Sequence, residues 1–221
     1  MAQVGLVHTT RLVIDPVHDA VTGSTRGVNV HHVLDEGILK RLAVQGNITP
    51  EIIDWLTRMV ASAENGGAEL AVVSCSSLSP CVNEVRTRVG IPVIKVDEPM
   101  MQQAILNGYR IGLVMTNPTT EKPSRILFEE VSKRLDKKPL LVPKLCPEAF
   151  AKLNSGDSAG HDEEVVQAID ELLQETDLVM LAQISIARVK NRLADDVSGR
   201  VLSSLDFIGA EITEMLHSSQ S

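Results

Sequence analysis

Aromatic residues are scarce, with one Trp, one Tyr and three Phe in 221 residues. A core must therefore be built from Val, Leu, Ile, Ala and Met, and the ring platforms on which proteins stack unpaired bases are missing. Positive charge is short too. The net charge is −8 and the lysines and arginines are dispersed, so no nucleic-acid partner is expected. No apolar stretch approaches the roughly 18 residues that a membrane helix needs. The opening Met1-Ala-Gln-Val has no basic segment leading into an apolar one, so neither membrane insertion nor export is expected. Three cysteines, Cys75, Cys81 and Cys146, form no metal-ligand pair and leave an odd number. They read as reduced thiols of a cytoplasmic protein. GxGxxG and GxxxxGK[ST] patterns are absent, which argues against nucleotide phosphates, and no hydrolase nucleophile elbow is expected.

What is present is alternation. Apolar runs at Val4–His8, Val28–Val33, Leu70–Cys75, Pro92–Val96, Arg110–Thr116, Leu140–Lys144, Leu178–Gln183 and Arg200–Ser203 are separated by amphipathic stretches. This predicts an α/β fold with mostly parallel strands. Thr49–Pro50–Glu51 predicts a helix start, the helix running to about Asn65 and stopping at Gly66–Gly67. Asp97–Glu98–Pro99 opens another helix that ends near Asn107–Gly108, and His161–Asp162–Glu163–Glu164 a third with acids in its first turn. Leu205–His217 reads as a closing helix that returns to the first half.

Two stretches echo each other. An acid (Glu69, Asp177) precedes an apolar strand that ends in small polar residues, placing Cys75 and Gln183 in corresponding positions. The expectation is two similar Rossmann-like α/β halves, residues 1–97 with 205–221 and residues 98–204, with the active site in the cleft between them. The carboxyl edge of such sheets is where ligands bind.

Cys75 is the leading chemical candidate. It reads either as a buried small hydrophobe or as a thiol whose ionised form is favoured by a helix starting near Ser79–Pro80. The N–H groups and hydroxyls of Ser76–Ser77 at a strand exit would cradle a carboxylate. Thr116–Asn117–Pro118–Thr119 follows another apolar strand, and its hydroxyls serve either a second carboxylate oxygen or ordinary turn capping. His8 and Thr9 end the first strand, where a histidine is either a structural hydrogen-bonder or a catalyst. His31–His32 lacks a third ligand at credible spacing, so no metal is expected. Cys81 and Cys146 read as packing residues.

These residues resemble the aspartate/glutamate racemase superfamily, which also holds hydantoin racemases, maleate isomerases and arylmalonate decarboxylases. The likeness rests on Gly5–Leu6–Val7–His8–Thr9, on Gly67–Ala68–Glu69–Leu70–Ala71–Val72–Val73–Ser74–Cys75–Ser76–Ser77, which is similar to the first cysteine motif, and on Gly112–Leu113–Val114–Met115–Thr116–Asn117–Pro118–Thr119, similar to a strand ending in T-x-x-T. It implies cofactor-independent chemistry at the carbon next to a carboxylate, and a homodimer. Racemases of this group place two thiols on opposite faces of the substrate. Here the second thiol motif is matched by Leu181–Ala182–Gln183–Ile184–Ser185, so an amide stands where the second cysteine is expected. An amide has no useful pKa.

The resulting expectation is an isomerase of small carboxylic acids using the single thiol of Cys75. Gln183 would donate to a carboxylate or enolate oxygen, and His8, Thr9, Ser76, Ser77, Thr116, Asn117, Thr119 and Ser185 would contact substrate. A single-cysteine decarboxylase or lyase, and a non-catalytic carboxylate-binding protein, are the alternatives. A thiol hydrolase ranks lower for want of a placed general base.

Overall fold

In the computed structural model, which describes residues 1–218, the apolar runs form parallel strands. Positions 219–221 of the expected first half lie outside the described residues. Strands Ala2–His8 (β1), Val28–Leu34 (β2), Leu70–Val73 (β3) and Val93–Lys95 (β4) pair in the order β2-β1-β3-β4. Strands Arg110–Met115 (β5), Leu140–Leu145 (β6), Leu178–Leu181 (β7) and Val201–Ser203 (β8) pair as β6-β5-β7-β8. Every pairing is parallel. The chain thus builds one Rossmann-like α/β topology twice. Backbone contacts divide it into two compact units, Met1–Val96 joined by the chain from Leu205 onward, and Asp97–Ser204.

The central strands are apolar on both faces because each sheet is covered on both sides, the normal state of a parallel sheet. In the first unit the helices are Ile14–Ser24 (α1), Gly37–Gln45 (α2), Pro50–Asn65 (α3) and Val82–Arg86 (α4). In the second they are Glu98–Asn107 (α5), Glu121–Arg134 (α6), Pro147–Asn154 (α7), Ser158–Leu173 (α8) and Asp195–Ser198 (α9). The closing helix Ile208–Ser218 (α10) packs on α1, where the Thr25 hydroxyl donates to the Gly209 carbonyl at 3.2 Å. On α3 the buried Ile52, Leu56, Met59, Val60 and Ala63 form one apolar stripe, as an amphipathic helix on a sheet requires.

The stripe reaches β1 at Gly5, where an added Cβ would lie 2.6 Å from the Cβ of Ala63 and 3.2 Å from that of Ala68. Gly112 does the same for the second sheet, with Val179 Cγ2 at 3.0 Å and Leu172 Cδ1 at 3.2 Å from its virtual Cβ. Gly5→Ala is expected to lower stability by about 1–3 kcal/mol, the cost of overpacking a filled core. Urea unfolding followed by circular dichroism measures it, and an unchanged midpoint would contradict the close approach.

Two helix starts differ from their sequence expectation. After Cys75 the chain turns through a 3₁₀ helix, Ser76–Cys81, that contains Pro80, and the α-helix begins only at Val82. With five residues, α4 supplies no long dipole to the thiol. The third expected helix starts at Ser158, three residues before His161, because Asp157 is the N-cap and its carboxylate accepts from the Gly160 N–H at 2.8 Å. The acids Asp162 to Glu164 therefore follow the first turn, and His161 is buried.

Candidate active site

In the first unit the exit of β3 is tied to β1, the Ser74 N–H donating to the Val7 carbonyl at 3.0 Å. Cys75 follows in extended conformation (φ −118°, ψ 105°) and leads the 3₁₀ turn, whose Leu78 N–H donates back to the Cys75 carbonyl at 3.0 Å. Cys75 as a residue keeps 8% exposure in an apolar cluster that includes Val7, Val73, Leu78 and Cys81. Ser76 and Ser77 are buried in the same turn, and His8 and Thr9 are buried at the end of β1. Cys81 donates to the Leu78 carbonyl, and burial pushes its thiol up to about 12. Burial also raises Cys146. Neither of these two carries a thiolate at neutral pH.

His8 is fully buried, and that burial together with the nearby His32 lowers its pKa from 6.5 to about 4. The unfolded chain therefore binds a proton at His8 that the folded chain refuses between these two values. Stability is expected to be fully present above pH 6.5 and to decline by roughly 1–3 kcal/mol as pH falls toward 4. His8→Met should flatten that part of a pH–denaturation profile. An equal slope in the variant would assign the loss to other groups.

In the second unit β7 leads into Gln183, which starts another 3₁₀ helix, Ile184–Arg192. Its side-chain oxygen accepts from the Thr116 N–H (2.8 Å), the Asn117 N–H (3.1 Å) and the Thr116 hydroxyl (3.3 Å). Three converging donors identify that atom as oxygen, so the NH₂ end is left facing away from the nest. The Thr116 hydroxyl that the sequence offers to a carboxylate is thus engaged by Gln183. Asn117 caps its own turn, accepting from the Thr119 N–H at 3.0 Å and hydroxyl at 2.9 Å. Ser185 is half-buried one residue beyond Ile184.

The two exits correspond residue by residue. Ser74 N–H donates to the Val7 carbonyl as Ala182 N–H donates to the Val114 carbonyl. Thr10 accepts from the Leu12 N–H as Asn117 accepts from the Thr119 N–H. Cys75 and Gln183 each stand two residues past their strand. Even the acids ahead of the strands match: Glu69 accepts from the Gln3 N–H, and Asp177 from the Tyr109 and Arg110 N–H groups, which hold its carboxyl below the ordinary range.

A family model of Asp/Glu/hydantoin racemase matches residues 9–210. The chain belongs to that family. Its fold is shared by a glutamate racemase from Bacillus anthracis (TM-score 0.77, 19% identity, 99% of this chain and 82% of that one). It is also shared by an allantoin racemase from Klebsiella pneumoniae (TM-score 0.75, 14% identity, 99% and 89%) and by the Picrophilus torridus aspartate racemase (TM-score 0.73, 11% identity, 97% and 94%). No curated protein matches the sequence. Racemases are isomerases, and this racemase-family chain is an enzyme of that class. Among the described residues no group of three His, Cys, Asp or Glu side chains is placed to hold a metal, and no helix is long and apolar enough to cross a membrane.

The structure gathers His8, Thr9, Cys75, Ser76 and Ser77 at the carboxyl edge of the first sheet, and Thr116, Asn117, Thr119, Gln183 and Ser185 at that of the second. Sequence reasoning missed Ser74, His32 and His18, which bond to His8 directly or in series. The only signal in the sequence was the His31–His32 pair on an apolar run, weighed there as a metal ligand.

Proposed function

We propose that this racemase-family chain is a cofactor-independent isomerase acting at the carbon next to the carboxylate of a small acid, with Cys75 as its acid/base thiol. The supporting observation is the asymmetry of two otherwise matching strand exits: one carries a thiol, the other an amide whose oxygen is fixed by three donors. Gln183 then offers N–H to a developing oxyanion and exchanges no proton. Thr116 and Asn117 act by holding Gln183, with Thr119 bracing Asn117. Ser76, Ser77, His8, Thr9 and Ser185 complete the substrate contacts. The reduced thiols fit a cytoplasmic enzyme, and the family resemblance a homodimer. The same amide favours, as second reading, a decarboxylase that needs one thiol to protonate the carbanion left when CO₂ departs.

The test is proton exchange in D₂O with a panel of small dicarboxylates, amino acids and malonates, without added cofactor. Deuterium at the α-carbon of one of them, read by NMR, is expected. CO₂ release from a malonate would favour the second reading. If no acid exchanges or decarboxylates, the proposed chemistry next to a carboxylate fails.

A further inference from the structure

Three histidines of the first unit form a hydrogen-bonded stack, of which the proposed chemistry draws only on His8, as a substrate contact. His18 Nδ1 lies 3.1 Å from His32 Nε2, His32 Nδ1 lies 2.9 Å from His8 Nε2, and His8 Nδ1 lies 2.8 Å from the Ser74 hydroxyl. The rings stack with centroids 5.3 and 5.1 Å apart. They come from α1, β2 and β1, and the series runs from half-buried His18 through exposed His32 to the fully buried His8.

One backbone carbonyl sets the protons of the series from one end, and His32 holds them from the other. Without the His32 N–H, the Ser74 hydroxyl can turn to donate to His8 Nδ1. The Ser74 hydroxyl donates to the Val7 carbonyl at 3.1 Å, so its oxygen accepts from His8 Nδ1–H. A neutral imidazole has one N–H, which leaves His8 Nε2 as an acceptor for His32 Nδ1–H. His32 Nε2 then accepts from His18 Nδ1–H by the same rule. Ser74 is thereby held by its N–H, its hydroxyl proton and its oxygen, and the next residue is Cys75.

The second unit provides the comparison. At its corresponding exit Met115 stands in the place of His8 and Ala182 in the place of Ser74, and the backbone bond from Ala182 to Val114 serves there. The fold closes this exit without a side-chain brace. The brace exists at the exit that carries the thiol.

We propose that His32 and His18 are positioning residues for Cys75, acting through His8 and Ser74 by fixing the tautomer of His8. The inference rests on the reading of Cys75 as the working thiol. The charged and titratable groups around the series are Asp15 on α1, whose carboxylate favours a proton on His32, and His31 and His18, which oppose it. His8 itself stays neutral through the physiological range.

The experiment uses the full chain and three measurements: alkylation of Cys75 by iodoacetate and by iodoacetamide across pH, histidine ¹⁵N shifts for the tautomer of His8, and thermal unfolding. His32→Phe keeps a stacked ring and removes both nitrogens at an exposed site. It should leave the unfolding temperature near that of the wild type, abolish the single Nδ1–H tautomer of His8, and slow Cys75 alkylation about tenfold, since small misplacements of a reacting atom cost rates of that order or more. His32→Asn, which returns one N–H donor, should recover most of the rate, and His18→Phe should show a smaller effect in the same direction. Wild-type alkylation rates and pH profile in His32→Phe would overturn the inference while leaving the thiol reading intact. A wild-type Cys75 no faster than Cys81 and Cys146 would overturn the thiol reading instead, and with it any thiol to position.

Discussion

Cys75→Ala is expected to reduce α-proton exchange by about 10²–10⁴-fold, the range that a positioned acid or base contributes. The alanine fits the space of the thiol, and Cys75 has only 8% exposure beside an apolar cluster, so the loss of stability should stay near 1 kcal/mol. Activity and stability are therefore expected to separate. Cys81→Ala and Cys146→Ala supply the control, because burial holds both of those thiols protonated. Exchange measured by NMR in D₂O on all three variants decides the matter. Full exchange by the Cys75 variant, or equal losses in the three, would remove this residue from the chemistry.

Gln183→Glu is expected to lower turnover by about 10²–10³-fold, as the loss of one donor to a developing oxyanion does, while the protein remains folded. A carboxylate can accept the same bonds from the Thr116 and Asn117 N–H groups and from the Thr116 hydroxyl. It has no N–H to offer, and its charge opposes that of an acidic substrate. Gln183→Ala separates this from a scaffolding role: it deserts the nest donors together, and an unmet buried donor costs about 1–3 kcal/mol. A glutamate variant stable but inactive, beside an alanine variant inactive and less stable, is the expected pair. Wild-type turnover in Gln183→Glu would show that the NH₂ group contacts nothing that reacts.

The strands were legible because a parallel strand covered on both faces needs an unbroken apolar run, and Leu70–Val73 and Leu178–Leu181 are such runs, buried throughout. Their likeness also exposed the pairing of Cys75 with Gln183. The turn after Cys75 was less legible. Pro80 suggested the first residue of an α-helix, but a tighter 3₁₀ path carries the chain to Val82. Asp157 went unnoticed as a cap because the acids that follow mimic the same signal. The histidine series was out of reach, since it depends on β1 and β2 pairing with Leu6 opposite His32, which brings together side chains 24 residues apart. The grip on Gln183 likewise joins residues 67 positions apart, a contact without any local pattern.

The return of α10 to α1 has a consequence for biosynthesis. The second unit is contiguous, from Asp97 to Ser204, whereas the first is interrupted by it and receives α10 only after all of the second has been made. A nascent chain held at Ser204 would carry every residue of the later-made unit and still lack the cover for α1, including the Gly209 carbonyl that Thr25 engages. The half made first is thus the half completed last, and the thiol-bearing exit belongs to it.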